Sequence, residues 1–315
     1  MDSLIYSLNA TLPVFLVIVV GYVLKQIGIL NDGFVKTANK FNFVVTLPVL
    51  LFVDLSTTDI IGDFDIKYVL YCALVTTVAF FGLWIAAKFL IKDKKIVGEF
   101  VQAGYRSSAA ILGVAFIQNI YGDSGMAPVM IIGCVPLFNI FAGLVLTFDG
   151  EKDGDGKGNI INSLINIVKN PIIIGIVLGV AASLLKIDFP EIIDKTLASL
   201  AKMASPLALI TIGAGFEGRK AIAKIKPTIA ATMIKLVVLP AVFLPIAIKL
   251  GFRDQALVAL IIMLGSPTTP SSYIMAKNMG YEGVLTSSVV VATTLMSSLC
   301  LTFWIFVARY FGYII

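Results

Sequence analysis

Apolar blocks of about 17–25 residues follow one another along almost the whole chain, and a helix of about 17–25 residues crosses a hydrocarbon core of about 30 Å. Ten such blocks lie near 12–30, 37–54, 67–91, 97–121, 127–148, 168–186, 192–215, 227–250, 255–279 and 284–311. Little chain remains for a soluble domain. Hydrophobic residues make up 58% of the sequence and charged residues 14%, against about 25% charged in a soluble domain. The expectation is an all-α membrane protein of ten transmembrane helices. Met1-Asp2-Ser3-Leu4 lacks the positive region of a signal peptide, so the first block is expected to remain as a helix. Cys72, Cys134 and Cys300 all fall inside apolar blocks, where reduced core thiols are expected rather than disulfides or a metal site.

The formal charge is +5. The basic residues cluster at block ends, which marks topology, and no Lys/Arg-rich segment interleaved with aromatics points to nucleic acid. Assigning loops alternately to two sides puts fifteen Lys and Arg, among them Lys88, Lys92, Lys94, Lys95 and Arg219, on one side and six, among them Lys67, Lys249 and Arg253, on the other. The richer side is expected to be cytoplasmic. Both termini then lie outside a plasma membrane. The acidic stretch Asp54, Asp59, Asp63, Asp65 is also external.

Comparing residue i with residue i + 158 without gaps pairs Pro13 with Pro171, Gly21 with Gly179, Pro48 with Pro206, Gly122 with Gly280 and Gly125 with Gly283. Glycine and proline mark special backbone positions, so these matches indicate an internal repeat. Each half holds five spans, and an odd number forces the second copy into the membrane from the opposite side. The expected domains are a first repeat (1–148), a cytoplasmic linker (149–161) and an inverted second repeat (162–315). Transporters built this way bind substrate near the midplane, where the repeats meet. The Gly-rich acidic linker resembles a calcium loop, but position twelve counted from Asp149 is Ile160 rather than Glu.

The ninth span contains Gly265-Ser-Pro-Thr-Thr-Pro-Ser-Ser-Tyr273. Pro267 and Pro270 each remove a backbone donor and push the preceding residue out of the helical region, which predicts an interrupted helix. Thr269-Pro270 reads as the N-cap and first turn of a second half-helix. The fourth span carries Gly104-Tyr-Arg-Ser-Ser108 at similar depth, and the offset lays Ser108 on Ser266. Gly104 and Gly265 are read as part of the two breaks. Freed N–H groups, half-helix N-termini and the hydroxyls of Ser107, Ser108, Ser266, Thr268, Thr269 and Ser271 suit a carboxylate. Arg106 offers a fork of donors at a depth where an uncompensated charge is costly; a structural pair with Glu99, or snorkelling to the cytoplasmic edge, is the alternative. Lys202 and Lys235 raise the same question. Asn42 and Thr46, before Pro48, face either the cavity or a neighbouring helix.

The sequence has no histidine, which removes Ser-His-Asp catalysis and His-based metal or haem sites. No Gly-Lys-Ser/Thr phosphate loop is present, so ATP is not the energy source within this chain. No carboxylate pair or Ser-Lys dyad marks an intramembrane enzyme, and no catalytic or metal-ligating residue is assigned. The reading is a secondary transporter of a small organic anion, with a channel or a sensor on a transporter fold as the rival class. No cofactor is expected, and coupling to protons or sodium stays open; Asp54, Glu99 and Glu217 are the candidate titrating groups.

Three segments carry a resemblance over essentially the whole chain: Phe43-Val-Val-Thr-Leu-Pro-Val-Leu-Leu-Phe52, Gln102-Ala-Gly-Tyr-Arg-Ser-Ser-Ala-Ala-Ile-Leu-Gly113 with Gln118-Asn-Ile-Tyr-Gly122, and Ser266-Pro-Thr-Thr-Pro-Ser-Ser-Tyr-Ile-Met-Ala-Lys277. In this order they resemble the auxin efflux carrier family, which includes bacterial malate and malonate permeases and plant auxin exporters. The resemblance implies crossed, broken helices four and nine. It also implies a transport domain of helices 3–5 and 8–10 moving against a scaffold of helices 1, 2, 6 and 7, and a homodimer through that scaffold. Plant members carry an Asn-Pro-Asn type crossover where this chain has Tyr105-Arg-Ser-Ser108 without proline. That departure favours a malate- or malonate-like carboxylate over an auxin-like aromatic acid. The related bile-acid symporters have sodium sites rich in Glu, Asn and Gln; this chain has no Glu in its ninth span before Glu282.

Overall fold

The computed structural model describes residues 2–57, 65–109, 117, 121, 126–149 and 169–314. Among these residues there is no strand, and the principal helices run in chain order as α1 (Asp2–Gln26), α2 (Asp32–Ser56), α3 (Ile66–Leu90), α4 (Val97–Tyr105), α5 (Ala127–Phe148), α6 (Pro171–Leu184), α7 (Glu191–Ala214), α8 (Ile225–Lys249), α9 (Asp254–Gly265), α10 (Ser271–Asn278) and α11 (Val284–Tyr310). Six of them, α2, α3, α5, α7, α8 and α11, are long and apolar enough to cross a membrane. Most apolar blocks end within a few residues of a helix end. The fourth is interrupted after Tyr105, and the ninth divides into α9 and α10. The expectations for Gln118, Asn119, Ile120, Gly113, Gly122, Gly125, Asp59, Asp63 and the linker after Asp149 lie outside the described residues.

The α3 sequence shows what the outer surface is built for. Ile66, Leu70, Leu74, Val78, Phe81, Ile85 and Phe89 recur every three or four residues and are exposed, while Tyr68, Cys72, Val75, Ala79, Phe80 and Leu83 face the interior. A one-sided apolar stripe normally turns to the core. Here a second apolar stripe points away from the protein, which is stable against lipid and not against water. With Leu295, Leu299, Phe303 and Phe306 exposed along it, α11 does the same.

Prolines shape two of the long helices. In α2 the turn Asn42–Thr46 widens to a π-turn just before Pro48, and in α8 Ile234–Val238 does so just before Pro240. The proline ring crowds the carbonyl four residues back and offers it no donor, and an extra residue in the turn relieves the clash. In α8 that carbonyl, Leu236 O, accepts instead from the Trp304 indole at 3.0 Å.

Small residues let two helix pairs touch backbone to backbone, as membrane helices do where no water drives them together. A Cβ on Gly21 of α1 would lie 2.3 Å from Ile210 O of α7, and one on Gly213 of α7 would lie 1.9 Å from Ile18 O of α1. A Cβ on Gly179 of α6 would lie 2.9 Å from Phe52 O of α2, and one on Gly175 would lie 2.4 Å from Pro48 O. At one end of the bundle Lys224 Nζ pairs with Asp93 at 3.0 Å. At the other, Lys67 Nζ donates to Leu250 O at 2.6 Å and Asp254 N donates to Tyr313 O at 3.1 Å. The Asp93–Lys224 contact holds the Asp93 carboxyl below its usual range, chiefly through the lysine hydrogen bond. Cys72, Cys134 and Cys300 are free thiols.

Candidate functional site

Two helix breaks meet inside the protein. At the first, α4 stops at Tyr105 and Arg106 is extended, with φ −69° and ψ 148°. At the second, α9 stops at Gly265 and Ser266 is extended, with φ −74° and ψ 161°. Arg106 lies nine residues beyond the start of α4, a rise of about 14 Å at 1.5 Å per residue, close to half of a hydrocarbon core of about 30 Å. The chains cross there by exchanging polar contacts. Ser108 N donates to Pro267 O at 2.9 Å, Thr268 Oγ1 donates to Ala103 O at 2.7 Å, and the Ser107 and Ser266 hydroxyls bond to one another. Thr268 N donates to Thr293 Oγ1 of α11 at 3.0 Å, which anchors the second break.

Arg106 is 1% exposed. Its guanidinium is held by neutral groups: Asn139 Oδ1 at 2.8 Å, Ser271 Oγ at 3.0 Å, Met275 Sδ at 3.1 Å and Gln102 Oε1 at 3.4 Å. Its buried Nε has no hydrogen-bond partner. Among the described residues no carboxylate pairs with it. The Glu99 alternative does not hold. That carboxylate accepts from Gly283 N at 3.2 Å, Thr286 N at 2.9 Å and Thr286 Oγ1 at 2.8 Å, and so caps the N-terminus of α11. A buried charge without a counter-charge is costly, and a buried N–H without an acceptor calls for an explanation.

Beside the guanidinium lies a cavity of about 50 Å³, walled on one side by Arg106, Ser107, Ser108, Asn139, Thr269 and Ser271 and on the other by Leu47, Leu50, Leu51, Asp54, Ile172 and Ala204, with further residues from both sets. The first wall is mainly polar and comes from the two breaks, α5 and the first residue of α10. The second is mainly apolar and comes from α2, α6 and α7. Among the described residues the amide N–H groups of Ser107, Thr269 and Ser271 make no hydrogen bond. No group of three or more His, Cys, Asp or Glu that could hold a metal occurs among the described residues.

The chain is matched over residues 6–305 by the family model described as membrane transport protein. It belongs to that family, the auxin efflux carriers. The "Uncharacterized transporter YfdV" of Escherichia coli K12 is 24% identical over 314 residues, which cover 97% of this chain and 99% of that protein. An "Uncharacterized transporter" of Methanothermobacter thermautotrophicus is 24% identical over 303 residues, 95% of this chain and 97% of that one. The "Putative malonate transporter" of Rhizobium meliloti is 24% identical over 307 residues, 95% of this chain and 94% of that one. The chain is thus a multi-pass membrane transporter.

Several expected site residues take other places. Asn42 is fully buried and does not line the cavity; its Nδ2 donates to Ala204 O of α7 at 2.9 Å, and its Oδ1 accepts from Thr46 at 2.5 Å. Ser266 and Thr268 stand behind the cavity wall, tying the crossing together. Gly104 is inside α4 rather than at its break, and a Cβ there would lie 2.6 Å from Leu83 Cδ2 of α3. Gly265 is the last helical residue of α9. Pro270, not Thr269, stands at the N-cap of α10, and the Thr269 hydroxyl pairs with Ser271 Oγ at 3.1 Å. Lys202 is exposed, and Lys235 is 0% exposed. Of the candidate titrating groups, Asp54 lines the cavity, Glu99 is the α11 cap and Glu217 pairs with Lys220 at 2.9 Å. Sequence reasoning missed Asn139. A lone amide in the apolar run Gly133–Phe141 was the available signal, since polar side chains inside a span are costly unless used.

Proposed function

We propose that this membrane transporter carries a small organic anion, a malonate-like carboxylate, bound at the crossing of the two broken helices. The observation that carries the reading is Arg106: fully buried, held only by neutral partners, with one N–H unused beside the cavity. A carboxylate would supply the missing charge and accept from the free amides of Ser107, Thr269 and Ser271. A cavity of about 50 Å³ is well below the roughly 150 Å³ apolar cavity that holds benzene, so its size in this conformation favours a short acid over an indole acid.

In this reading the architecture is ten transmembrane helices in two inverted repeats. The glycine contacts support it: adding 158 to Gly21 and subtracting 158 from Ile210 turns the Gly21–Ile210 contact into the Gly179–Phe52 contact. A two-fold axis in the membrane plane relates pairs in this way. The scaffold is α1, α2, α6 and α7, and the transport domain is α3–α5 and α8–α11. The cavity lies between these sets with its anion-binding groups on the transport side, and the apolar scaffold wall lets that side slide past, so transport is elevator-like alternating access. The scaffold also forms a homodimer, and the Lys224–Asp93 end of the bundle faces the cytoplasm of a cell whose plasma membrane holds the protein.

A thermal-shift panel of organic acids on purified protein tests the substrate class, because a ligand bound to the native state alone stabilises it by about 2.7 kcal/mol at a hundredfold excess over Kd. Malonate or malate should raise Tm, and a longer aromatic acid should not. Stabilisation by indole acids alone would overturn the assignment.

A further inference from the structure

The second buried cation, Lys235, has no part in the anion site. It lies in the π-turn of α8, eleven residues into a 25-residue span, close to mid-depth. The Pro267 break explains its surroundings. In a continuous helix Met263 O would accept from residue 267, but proline has no N–H; Leu264 O would accept from Thr268 N, but that N–H is given to Thr293 Oγ1. Two carbonyls at the negative end of α9 are therefore left open at membrane depth. Lys235 Nζ donates to both, to Leu264 O and, at 3.4 Å, to Met263 O.

No carboxylate pairs with Lys235 among the described residues, and Cys134 of α5 is the titratable neighbour that acts on it electrostatically. The ammonium is instead neutralised in part by the helix end, whose last carbonyls carry roughly half a negative charge. In transporters with discontinuous helices, such half-helix C-terminal carbonyls are where a coupling Na⁺ is coordinated.

We infer that Lys235 is a tethered cation filling the place at the end of α9 where a sodium ion would otherwise sit, so that neither the crossing nor anion binding requires sodium. The binding clause rests on the transport reading; the cation clause stands on the geometry alone. Lys235→Ala opens a space with the shape of n-propylammonium next to the same carbonyls. Lys235→Met fills the space without charge.

The test is thermal melting of wild type and both variants at equal ionic strength in sodium, n-propylammonium or bulky N-methyl-D-glucamine, followed by malonate titration of the wild type. Wild-type Tm and malonate affinity should be the same in sodium and N-methyl-D-glucamine. Lys235→Ala should melt lower in N-methyl-D-glucamine and regain at least half of the loss in n-propylammonium or sodium. Lys235→Met should melt lower in all three. A wild type stabilised specifically by sodium, a folded Lys235→Ala that no cation restores, or a Lys235→Met as stable as wild type would each overturn the inference. If Lys235→Ala gives no folded protein, the wild-type comparison and Lys235→Met decide. If malonate binds in no condition, the malonate-like substrate reading falls and the melting results still judge the cation.

Discussion

Glu99→Ala should destabilise the protein without touching the anion site. The carboxylate is 2% exposed and accepts three hydrogen bonds at the start of α11, from Gly283 N, Thr286 N and Thr286 Oγ1. Hydrogen bonds to a charged group contribute about 1.5–3 kcal/mol each, and a carboxylate at a helix N-terminus adds up to about 2 kcal/mol in buried geometries. Against this, removing the carboxylate also removes its own desolvation penalty of several kcal/mol. The expected net loss is about 2–4 kcal/mol. At about 1.5 °C per kcal/mol for a chain of 315 residues, Tm should fall by roughly 3–6 °C. Glu99→Gln retains one acceptor oxygen and should fall between. Melting by intrinsic fluorescence in detergent, alongside malonate titration of the folded fraction, separates the effects. A Tm within about 2 °C of wild type would refute the capping role. Lost malonate affinity at unchanged Tm would place Glu99 in the site.

Changing both Pro267 and Pro270 to Ala supplies the N–H groups the break lacks and lets α9 run on into α10; transport in vesicles should fall sharply while folded yield is kept, and normal transport would make the break a passive kink. Gly213→Ala puts a Cβ within 1.9 Å of Ile18 O; overpacking of this kind costs about 1–3 kcal/mol or more, and an unchanged Tm would contradict the α1–α7 approach.

The helix ends were legible because hydrocarbon thickness fixes span length and prolines advertise their effect. Pro267 and Pro270 gave away the break in the ninth span. Nothing comparable marks the fourth, where Arg106–Ser108 leave the helix to meet residues about 160 positions away: Ser107 reaches Ser266, and Ser108 N reaches Pro267 O. Only the fold brings those together. The gapless offset lays Ser108 on Ser266, while the first extended residue after α4 is Arg106 and the first after α9 is Ser266. Asn42 and Asn139 show the limit of reading polar residues in apolar runs. Both were visible as costly, but which one turned to the cavity and which to a helix neighbour depended on packing.

The central claim is that Arg106 meets a carboxylate, and malonate titration of wild type, Arg106→Lys and Arg106→Ala by isothermal calorimetry tests it most directly, with folded yield measured in parallel. Lys keeps the charge and loses the fork, so it should bind more weakly than wild type. Ala should bind more weakly still, by about 2–5 kcal/mol, which is roughly 30-fold to several-thousand-fold in Kd. Wild-type affinity in a well-folded Arg106→Ala protein would contradict the account and leave the anion to the free backbone amides alone.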